Sequence, residues 1–484
     1  MLRSSMSNPN KVLTSKGYSI LKESLTKDQV KQIEEELTVK PRTLQKFAAA
    51  VPEFKIYAES SARYYLPRAW AADIYGSPEA VTVKPGVPLP PTVTFQGTPY
   101  PYQQEIIDKF VDQGANGLIC VPCGRGKTFM ALAIAVRLGK RALIVVDKEF
   151  LMNQWKGEIE RYLVGARVGI LQGSKAELDP ALFDITICMI QTVCLHEFKI
   201  GTFDGYGFTI FDECHHLGAQ YFSGVLRKIQ TPHMLGLSAT PDRDDGLTKV
   251  FEYFLGKPVY QEKTREPDPT VQVKALWYRN DDPAYADSPL DWRGQLVTAR
   301  LMTQVVTCKA RTEFVLGHLK ELVTDPRRKV LVLSERRDHL AELDAGLPPA
   351  TSRGYYVGGM KQADLDRNAE TCQVLLATYA MASEAMNIKA LNAMIMASPR
   401  KKVEQSTGRI LRTTVDKRVV EPLILDIIDQ HDTYVRQWYL RGIYYKKCAY
   451  TVTHVNKPKN VRGEEAEPKP KNEVVEEVCQ IVLK

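Results

Sequence analysis

The first regular pattern along the chain is helical. Within residues 25–39, apolar residues recur at spacings of three and four, which places their side chains on one face of a helix. Thr26 and Gln29 stand at the start of this face with the spacing of a capping box, in which two side chains satisfy the first backbone N–H groups of a helix. The pattern therefore predicts a helix that ends before Pro41.

Beyond residue 95, apolar residues form short continuous runs that are separated by stretches with helical spacing. A strand that is covered on both faces of a parallel sheet has such a run, because neither face meets water. The runs before residue 241 are NGLICV, RALIVV, DITICMI, GFTIFDE and HMLGLSAT, and those after residue 300 are KVLVLS, CQVLLATY, NAMIMAS and EPLILDI. The sequence therefore predicts an α/β fold with two tandem parallel-sheet domains.

Composition between these regions predicts the domain boundaries. The stretch before residue 100 is rich in proline and lacks periodicity, as linkers do, and the stretch after residue 456 is too charged to bury a core. We expect a small N-terminal α+β accessory domain and Pro-rich linker at 1–95, a first sheet domain at 96–262, a connecting segment of irregular structure at 263–295, a second sheet domain at 296–450 and a flexible tail at 451–484.

Overall composition narrows the class of protein without identifying it. The apolar fraction of 44% and the charged fraction of 25% are ordinary for a globular protein, and no apolar run is long enough to span a bilayer. Residues 1–20 lack the apolar stretch of a secretory signal, so we expect an intracellular protein of nucleus or cytoplasm with no membrane partner. The net charge of +8 is compatible with a polyanionic partner but does not require one.

The segment ICVPCGRGKTFM supports two incompatible interpretations, the first of which concerns its cysteines. Cys120 and Cys123 have the spacing of a redox dithiol or of half a zinc site. A zinc site needs a second pair of ligands at matching spacing, and the chain has no other C-x-x-C pair. We therefore expect a structural role for both cysteines, with a thiol oxidoreductase as a rival function class.

The second interpretation of this segment is a loop that binds nucleotide phosphates. Such a loop joins a strand to a helix, as predicted here, so that backbone N–H groups and the helix N-terminus face the anion. Gly124 and Gly126 let the backbone approach the phosphates, Lys127 reaches the β- and γ-phosphates, and the Thr128 hydroxyl can ligate Mg²⁺. The general phosphate-loop pattern has a glycine where this chain has Val121.

The run FTIFDECHH supplies carboxylates to complement this loop. Asp212 can hold Mg²⁺, and Glu213 can orient or deprotonate an attacking water. An acidic pair after a strand can also cap a helix, but its position after a phosphate loop favours catalysis. His215 and His216 suggest zinc at first sight, yet adjacent side chains diverge, which leaves a relay or a packing role open.

Four motifs together resemble those of the superfamily 2 helicases. PCGRGKT, DECHH, GLSAT and QSTGRILR resemble motifs I, II, III and VI of that family, in the same order, within residues 97–450. The resemblance implies two RecA-like domains, ATP and Mg²⁺ as cofactors and nucleic acid as the partner. GLSATPDRDDG and LGKPVY are most similar to the group of XPB-type and type III restriction motors, and RYYLPRAW resembles helicases of large DNA viruses, including the poxvirus transcript-release helicase.

The same resemblance implies roles for further residues. Ser238 and Thr240 would couple the nucleotide state to the grip on nucleic acid, whereas Arg409 and Arg412, with Gln405 in the Q-x-x-G-R-x-x-R pattern, would act as arginine fingers. Planar guanidinium groups suit the dispersed charge of a transferring phosphoryl group. Adenine and loop contacts are expected from Tyr102, Gln103 and Arg125, and nucleic-acid contacts from Gly173, Ser174, Gln191, Thr192 and Thr378.

Two positions depart from the family pattern. Asp147 and Lys148 stand where motif Ia has Pro-Thr, which leaves its contact with the strand undefined. Arg243, Asp244 and Asp245 stand where XPB has Arg-Glu-Asp, so a shared strand-opening role does not follow.

The N-terminal domain combines aromatic and basic residues, among them Tyr57, Tyr64 and Trp70 beside Arg63 and Arg68. Such residues can stack on and clamp nucleic acid, but they can also form a small aromatic core with basic rims. Both interpretations fit the sequence.

We expect the chain to be an ATP-driven helicase or translocase that acts on DNA rather than RNA, with 3′-to-5′ polarity by resemblance. The alternative is a nucleic-acid-binding subunit that uses ATP only as a conformational clamp within a transcription or repair complex. The N-terminal domain and the tail after Asn456 would then dock transcription or repair proteins.

Overall fold

The computed structural model describes residues 9–42, 52–122, 124–239, 243, 245–262, 267–384, 386, 388, 390–413 and 415–458. Over these ranges the chain forms an N-terminal sheet followed by two larger sheets that are covered by helices on both faces. No helix within these ranges is both long enough and apolar enough to cross a membrane.

The N-terminal sheet has five strands in the order β5-β6-β2-β1-β7 over the residues described. The elements of this region are β1 (Lys11–Thr14), β2 (Gly17–Leu21), α1 (Lys27–Leu37), β3 (Thr38–Val39), β4 (Phe54–Lys55), β5 (Ala58–Glu59), β6 (Arg63–Leu66), α2 (Arg68–Tyr75) and β7 (Ala80–Val81). The predicted capping box is present at the start of α1, where the backbone N–H of Gln29 donates to Thr26 Oγ1 over 3.2 Å and the reverse bond spans 2.9 Å.

The aromatic residues of this region form its core. Tyr57, Tyr64 and Trp70 are buried, which favours the core interpretation over a nucleic-acid surface. The region is also fixed to the next sheet, because the Arg68 guanidinium donates to the carbonyl oxygens of Thr231 and Pro232 over 2.6 and 2.9 Å. Its apolar residues therefore share one core with the neighbouring domain.

The second sheet has eight strands in the order β13-β12-β14-β10-β15-β16-β9-β17 in the part of the chain that the structure describes. Its region comprises β8 (Thr94–Phe95), α3 (Pro101–Asp112), β9 (Asn116–Cys120), α4 (Lys127–Leu138), β10 (Ala142–Val146), α5 (Glu149–Tyr162), β11 (Leu163–Val164), β12 (Val168–Gln172), β13 (Lys175–Ala176), β14 (Ile185–Met189), α6 (Ile190–Leu195), β15 (Phe208–Phe211), α7 (Gln220–Ser223), α8 (Val225–Lys228), β16 (His233–Ser238), α9 (Thr248–Leu255) and β17 (Pro258–Gln261). Within the eight-stranded sheet every pair is parallel except the antiparallel hairpin of β12 and β13. Strands β8 and β11 pair with each other, antiparallel, outside this sheet.

The third sheet has seven strands within the described residues, in the order β20-β21-β19-β22-β23-β18-β24, and every pair is parallel. Its region comprises β18 (Gln272–Tyr278), α10 (Pro283–Ala286), α11 (Thr298–Thr307), α12 (Lys309–Val323), β19 (Val330–Ser334), α13 (Arg337–Ala345), β20 (Arg353–Tyr356), α14 (Gln362–Thr371), β21 (Val374–Thr378), α15 (Tyr379–Glu384), β22 (Ala393–Met396), α16 (Glu404–Thr407), β23 (Leu423–Asp429), α17 (Asp432–Lys447) and β24 (Thr451–Val455). Each of the nine apolar runs noted in the sequence forms a strand, which confirms the α/β fold with two RecA-like parallel-sheet domains.

Two expectations about secondary structure are wrong. Residues 263–295 are not irregular throughout, because β18 lies inside the third sheet between β23 and β24. Polar Gln272 and exposed Lys274 interrupt its apolar pattern, which concealed the strand. The expected tail also begins too early, since residues 451–455 form the edge strand β24; residues 459–484 lie outside the described part of the chain.

A fully buried ion pair anchors the third sheet. Arg311 on α12 donates to both carboxylate oxygens of Asp429, over 2.5 and 2.9 Å, and to the Ala397 carbonyl oxygen over 2.8 Å. The Tyr285 hydroxyl donates to the same carboxylate over 2.6 Å. Because both charged side chains are 0% exposed, each depends on the other for its solvation.

We predict that Arg311→Leu lowers the free energy of unfolding by about 3 to 5 kcal/mol, because it leaves the Asp429 carboxylate buried without its cation. The measurement is chemical denaturation of both proteins. Arg327→Leu is the matched control, since Arg327 pairs with Asp325 at the surface, where its side chain is 62% exposed, and its loss should change stability little. Equal effects of the two substitutions would contradict the prediction.

Candidate nucleotide site and nucleic-acid interface

The loop between β9 and α4 has the backbone that a phosphate site requires. Gly124 and Gly126 have positive φ of 88° and 80°, and Gly126 is the residue that precedes the first turn of α4. A Cβ atom at Gly126 would collide with the Gln103 side-chain amide. The loop therefore depends on glycine for its conformation and for the close approach of α3.

Residues of α3 hold the loop from one side. The Gln103 amide and the Tyr102 hydroxyl both donate to the carbonyl oxygen of Arg125, over 3.0 and 3.3 Å. The Arg125 guanidinium lies 4.2 Å from the centre of the Tyr102 ring and pairs with Glu262 over 3.0 Å. The three residues expected to contact adenine and the loop are thus brought together at the base of α4.

The two carboxylates lie at the carboxyl end of β15. Asp212 Oδ2 accepts a hydrogen bond from Trp155 Nε1 over 2.8 Å, and Glu213 Oε1 lies 3.5 Å from Lys127 Nζ. Glu213 has a φ of 43°, which is a left-handed conformation that costs an ordinary residue about 1 to 3 kcal/mol. The sequence did not reveal Trp155, whose buried indole N–H needs an acceptor and finds it in Asp212.

The two carboxylates have opposite pKa shifts. Burial, together with the adjacent Glu213 charge, raises the pKa of Asp212 above its usual range. Burial also favours a raised pKa for Glu213, but the Lys127 ammonium and a hydrogen bond from His215 outweigh it and hold the pKa of Glu213 low. Glu213 is therefore the more readily ionised member of the pair, and the protein only partly offsets the negative charge that Asp212 carries once it is ionised.

A cavity of 560 Å³ collects the candidate residues from both RecA-like domains. Its lining includes Tyr102, Gln103, Gly124, Gly126, Lys127, Thr128, Asp212 and Glu213 from the first domain and Arg409 and Arg412 from the second. The two arginines both donate to the Met386 carbonyl oxygen, over 2.7 and 3.1 Å. Gln405 lies one turn earlier on α16, half-buried, and does not line the cavity.

The histidines after the carboxylates connect the cavity to neighbouring strand ends. His215 Nδ1 lies 3.0 Å from Ser238 Oγ at the end of β16 and 3.4 Å from Glu213 Oε2. His216 Nε2 lies 3.6 Å from Asp147 Oδ2 at the end of β10. These contacts are compatible with both alternatives for the histidines, a relay and a packing role. Thr240 lies outside the described residues.

The residues expected to contact nucleic acid lie at strand ends of the same two sheets or, for Gln191 and Thr192, in the first turn of α6 directly after β14. Gly173 N donates to Thr192 Oγ1 over 2.9 Å, and the Gln191 amide donates to the Asp147 carbonyl oxygen over 2.7 Å. Ser174 is exposed beside Gly173 in the turn between β12 and β13. In the third sheet, Thr378 ends β21. Short hydroxyls and backbone amides in such positions suit phosphate rather than base contacts.

The cysteines of the loop segment are divided by the structure. Cys120 is 1% exposed at the end of β9, paired in register with Ser238 of β16. Cys123 lies outside the described residues. Cys120 therefore occupies a packed strand end.

Comparison with known proteins finds relatives that are named as a restriction-enzyme subunit or as helicases. Residues 96–243 match the family model for the type III restriction enzyme, res subunit. A protein of Acanthamoeba polyphaga mimivirus, named as a candidate ATP-dependent RNA helicase, is 30% identical over 456 residues, which cover 91% of this chain and 86% of the relative. A similarly named protein of African swine fever virus is 26% identical over 381 residues, or 72% of this chain and 73% of the relative.

Two further similarities are weaker, one because it covers a third of the chain and the other because its identity and TM-score are low. The DNA 3′-5′ translocase XPB2 of Sulfurisphaera tokodaii is 33% identical over 165 residues, which cover 34% of this chain and 36% of the relative. The solved structure of the Pyrococcus furiosus Hef helicase domain aligns with a TM-score of 0.46 at 16% identity, covering 70% of this chain and 97% of that domain.

We predict that Asp212→Asn stabilises the nucleotide-free protein increasingly as the pH rises from 5 to 8. A carboxyl whose pKa is higher in the folded than in the unfolded chain contributes stability at low pH and loses it as the pH rises through the folded pKa. The neutral amide lacks this loss, so the difference in free energy of unfolding should grow by about 1 to 3 kcal/mol over this range, at about 1.4 kcal/mol per unit of pKa.

The control is Asp325→Asn on the surface. The hydrogen bond from Arg327 lowers the pKa of Asp325 to about 2, so this carboxyl is ionised in both states throughout the range and its substitution should show no such trend. A difference between Asp212→Asn and the unmodified chain that is constant from pH 5 to 8 would show that the pKa of Asp212 is not raised.

Proposed function

Since this chain belongs to the superfamily 2 helicases, in the group of type III restriction subunits, XPB-type translocases and viral helicases, we propose that it is a motor that moves along single-stranded nucleic acid. It is an ATP-dependent, helicase-type enzyme that acts on nucleic acid. In the proposed cycle, ATP binding draws the two RecA-like domains together and hydrolysis releases them. The nucleic-acid strand then advances along the carboxyl edges of their sheets.

The observation that carries this proposal is the shared cavity between the two domains. Lys127 and Glu213 on one side face the same space as Arg409 and Arg412 on the other. A nucleotide bound there would contact both domains at once, so its hydrolysis would change how they pack. We propose Lys127 as the phosphate ligand, Glu213 as the general base and the two arginines as the groups that stabilise transferring phosphoryl charge.

The donor set of this cavity fits a magnesium ion. The Thr128 hydroxyl and the Asp212 carboxylate line the same space, and oxygen ligands are those that Mg²⁺ prefers. The raised pKa of Asp212 indicates a carboxylate whose charge the protein only partly neutralises, which a cation would relieve. Bound there, the ion would offset phosphate charge.

Removal of Mg²⁺ by a chelator should therefore abolish hydrolysis.

We propose DNA as the substrate, with 3′-to-5′ movement. The similarity to XPB2, named as a DNA 3′-5′ translocase, supports this choice over the first RecA-like domain. RNA is the second candidate, because the two viral relatives that cover most of this chain are named as RNA helicases. The strand-end groups, such as Gly173 and Thr378, would hold phosphates in either case.

A clamp function within a transcription or repair complex is the remaining alternative. The N-terminal region supports it, because Arg68 fixes that region to the first RecA-like domain, so a partner that bound there would be held against this domain. We propose that residues 1–95 form this accessory domain and that 96–262 and 296–450 contain most of the two motor domains. Strand displacement by the isolated chain would argue against a clamp.

We predict that single-stranded nucleic acid accelerates ATP hydrolysis and that Lys127→Ala lowers the stimulated kcat by about 100- to 1000-fold, because it removes the cation at the phosphates. The measurement is ATP hydrolysis by purified protein with and without saturating nucleic acid. Lys156→Ala, on the exposed face of the neighbouring α5, is the matched control and should retain stimulation.

The same assay separates the candidate substrates. Single-stranded DNA, duplex DNA and RNA of matched length are compared side by side. Stimulation by DNA alone supports the DNA motor, and stimulation by RNA alone selects the second candidate. Hydrolysis that is equal with and without every nucleic acid would rule out the motor.

We predict that Arg409→Ala lowers stimulated kcat by about a thousandfold while ATP still binds, because an arginine finger acts on charge that develops in the transition state. Arg409→Lys should not restore the rate, since an ammonium lacks the planar fork. Binding is measured with a fluorescent ATP analogue, and hydrolysis as above. Arg436→Ala, at an exposed position of α17, is the control. A parallel loss of ATP affinity and rate would instead indicate a ground-state binding role.

A further inference from the structure

One tryptophan of this chain stands apart from the rest. Trp292 is 85% exposed, whereas Trp70, Trp155, Trp277 and Trp438, which are the other tryptophans, are at most 4% exposed. Large aromatic side chains cost free energy in water and usually bury most of their surface. An exposed tryptophan on an ordered surface therefore points to a partner.

Trp292 is held at the tip of a short arm, residues 287–297. Leu290 and Leu296 form an antiparallel bridge, and Val297 N donates to the Pro289 carbonyl oxygen over 2.8 Å. The Asp291 carboxylate accepts from two backbone N–H groups of the turn, those of Arg293 and Gln295, over 2.8 and 2.9 Å. The turn thus has a defined conformation that presents the indole ring to solvent.

The base of the arm is fixed to the third sheet. The Gln304 amide donates to the carbonyl oxygens of Tyr285 and Asp287, over 2.8 and 2.7 Å. Tyr285 in turn donates to the buried Asp429, which also binds Arg311. The arm therefore moves with the second RecA-like domain.

The chain runs from β18 through α10 to the arm, and Tyr285 at the base of the arm donates to Asp429, the last residue of β23, so this base lies at the carboxyl edge of the third sheet. Because all strands of that sheet are parallel, Thr378 at the end of β21 lies on the same edge. Strands β18 and β21 are four places apart in the sheet, or about 19 Å at the usual strand spacing. Carboxyl edges are where ligands of parallel sheets bind, and here the proposed path of the strand runs along this edge.

The charges around the arm favour a base over a phosphate as the ligand. Four aspartates lie in or just before the arm, and two of them, Asp287 and Asp291, belong to the arm itself. Asp281 pairs with Arg279, while Asp282 and Asp291 accept backbone hydrogen bonds, so these carboxylates have structural partners but still repel phosphate. The Arg293 guanidinium lies over one face of the Trp292 ring, 4.3 Å from its centre, so it backs that face and leaves the opposite face for a base.

We propose that Trp292, backed by Arg293, is a stacking platform for an unpaired nucleobase of the strand that the motor holds. The proposal rests on the nucleic-acid motor function above and adds a contact outside the helicase motifs. Stacking accepts every base, because each has a π face, so the platform would grip single strands without reading their sequence.

The position of the tryptophans makes the test direct. Base stacking should quench the fluorescence of the exposed Trp292, whereas the four buried tryptophans respond little. Oligo-dT and oligo-U of equal length are titrated into the full chain and into Trp292→Phe, which keeps a smaller ring. We expect quenching in the unmodified chain with at least one oligonucleotide and no quenching in Trp292→Phe.

Affinity measurements complete the test. Trp292→Ala should weaken single-strand binding by about 5- to 150-fold, and Trp292→Phe by less. The slope of log Kd against log salt should stay unchanged, because no phosphate contact is lost. Tyr221→Ala, which removes a half-exposed aromatic ring of the first RecA-like domain, is the matched control and should bind normally.

The outcomes separate this inference from the motor function. If oligonucleotides stimulate ATP hydrolysis by the unmodified chain but neither oligonucleotide quenches Trp292, the platform is overturned and the motor stands. If the salt slope falls in Trp292→Ala, the contact is with phosphate and the stacking proposal is wrong. If neither stimulation nor quenching occurs, both proposals fail.

Discussion

A parallel strand that is covered on both faces of its sheet meets solvent only at its ends, and this constraint decides where chemistry can occur in this chain. Strands β9, β15 and β16 are almost entirely buried, so the polar residues that follow them gather along one carboxyl edge. Lys127, Asp212 and Ser238 become neighbours in this way despite their separation in sequence. The second RecA-like domain repeats the arrangement and brings Arg409 and Arg412 to the same cavity.

This concentration of charge has an energetic consequence. Lys127 offsets the charge of Glu213, but burial raises the pKa of the adjacent Asp212, and Glu213 itself has a left-handed backbone. In the nucleotide-free protein, both the buried Asp212 carboxylate and the backbone of Glu213 therefore destabilise the folded state. Buried pairs away from the cavity, such as Arg441 with Asp426 at 2.8 Å, are fully hydrogen-bonded and contribute rigidity. A ligand that brings phosphate and a cation relieves the strain where it is concentrated.

Sequence patterns predicted the elements whose signal is local. The nine apolar runs became strands, the capping box of Thr26 formed, and the glycine spacing identified the tight turn between β9 and α4, because each depends on neighbouring residues. The sequence did not predict β18, because Lys274 interrupts its apolar run. It did not predict β24 either, because this edge strand alternates exposed and half-buried positions. The site contacts that the sequence did not predict, such as the hydrogen bond from Trp155 to Asp212, join residues far apart in sequence, and their pairing depends on the tertiary fold.

The same constraint explains why the choice between DNA and RNA does not follow from the motifs. Strand ends and the helix turns that follow them present backbone amides and short hydroxyls, as at Gly173 and Thr192, and these groups suit the phosphates that both polymers share. A stacking ring such as Trp292 meets only the flat face of a base, which DNA and RNA also share. The 2′-hydroxyl is the group that distinguishes RNA from DNA. Discrimination between the two polymers therefore requires side chains that reach the sugar, which phosphate contacts at the strand ends and base stacking do not provide.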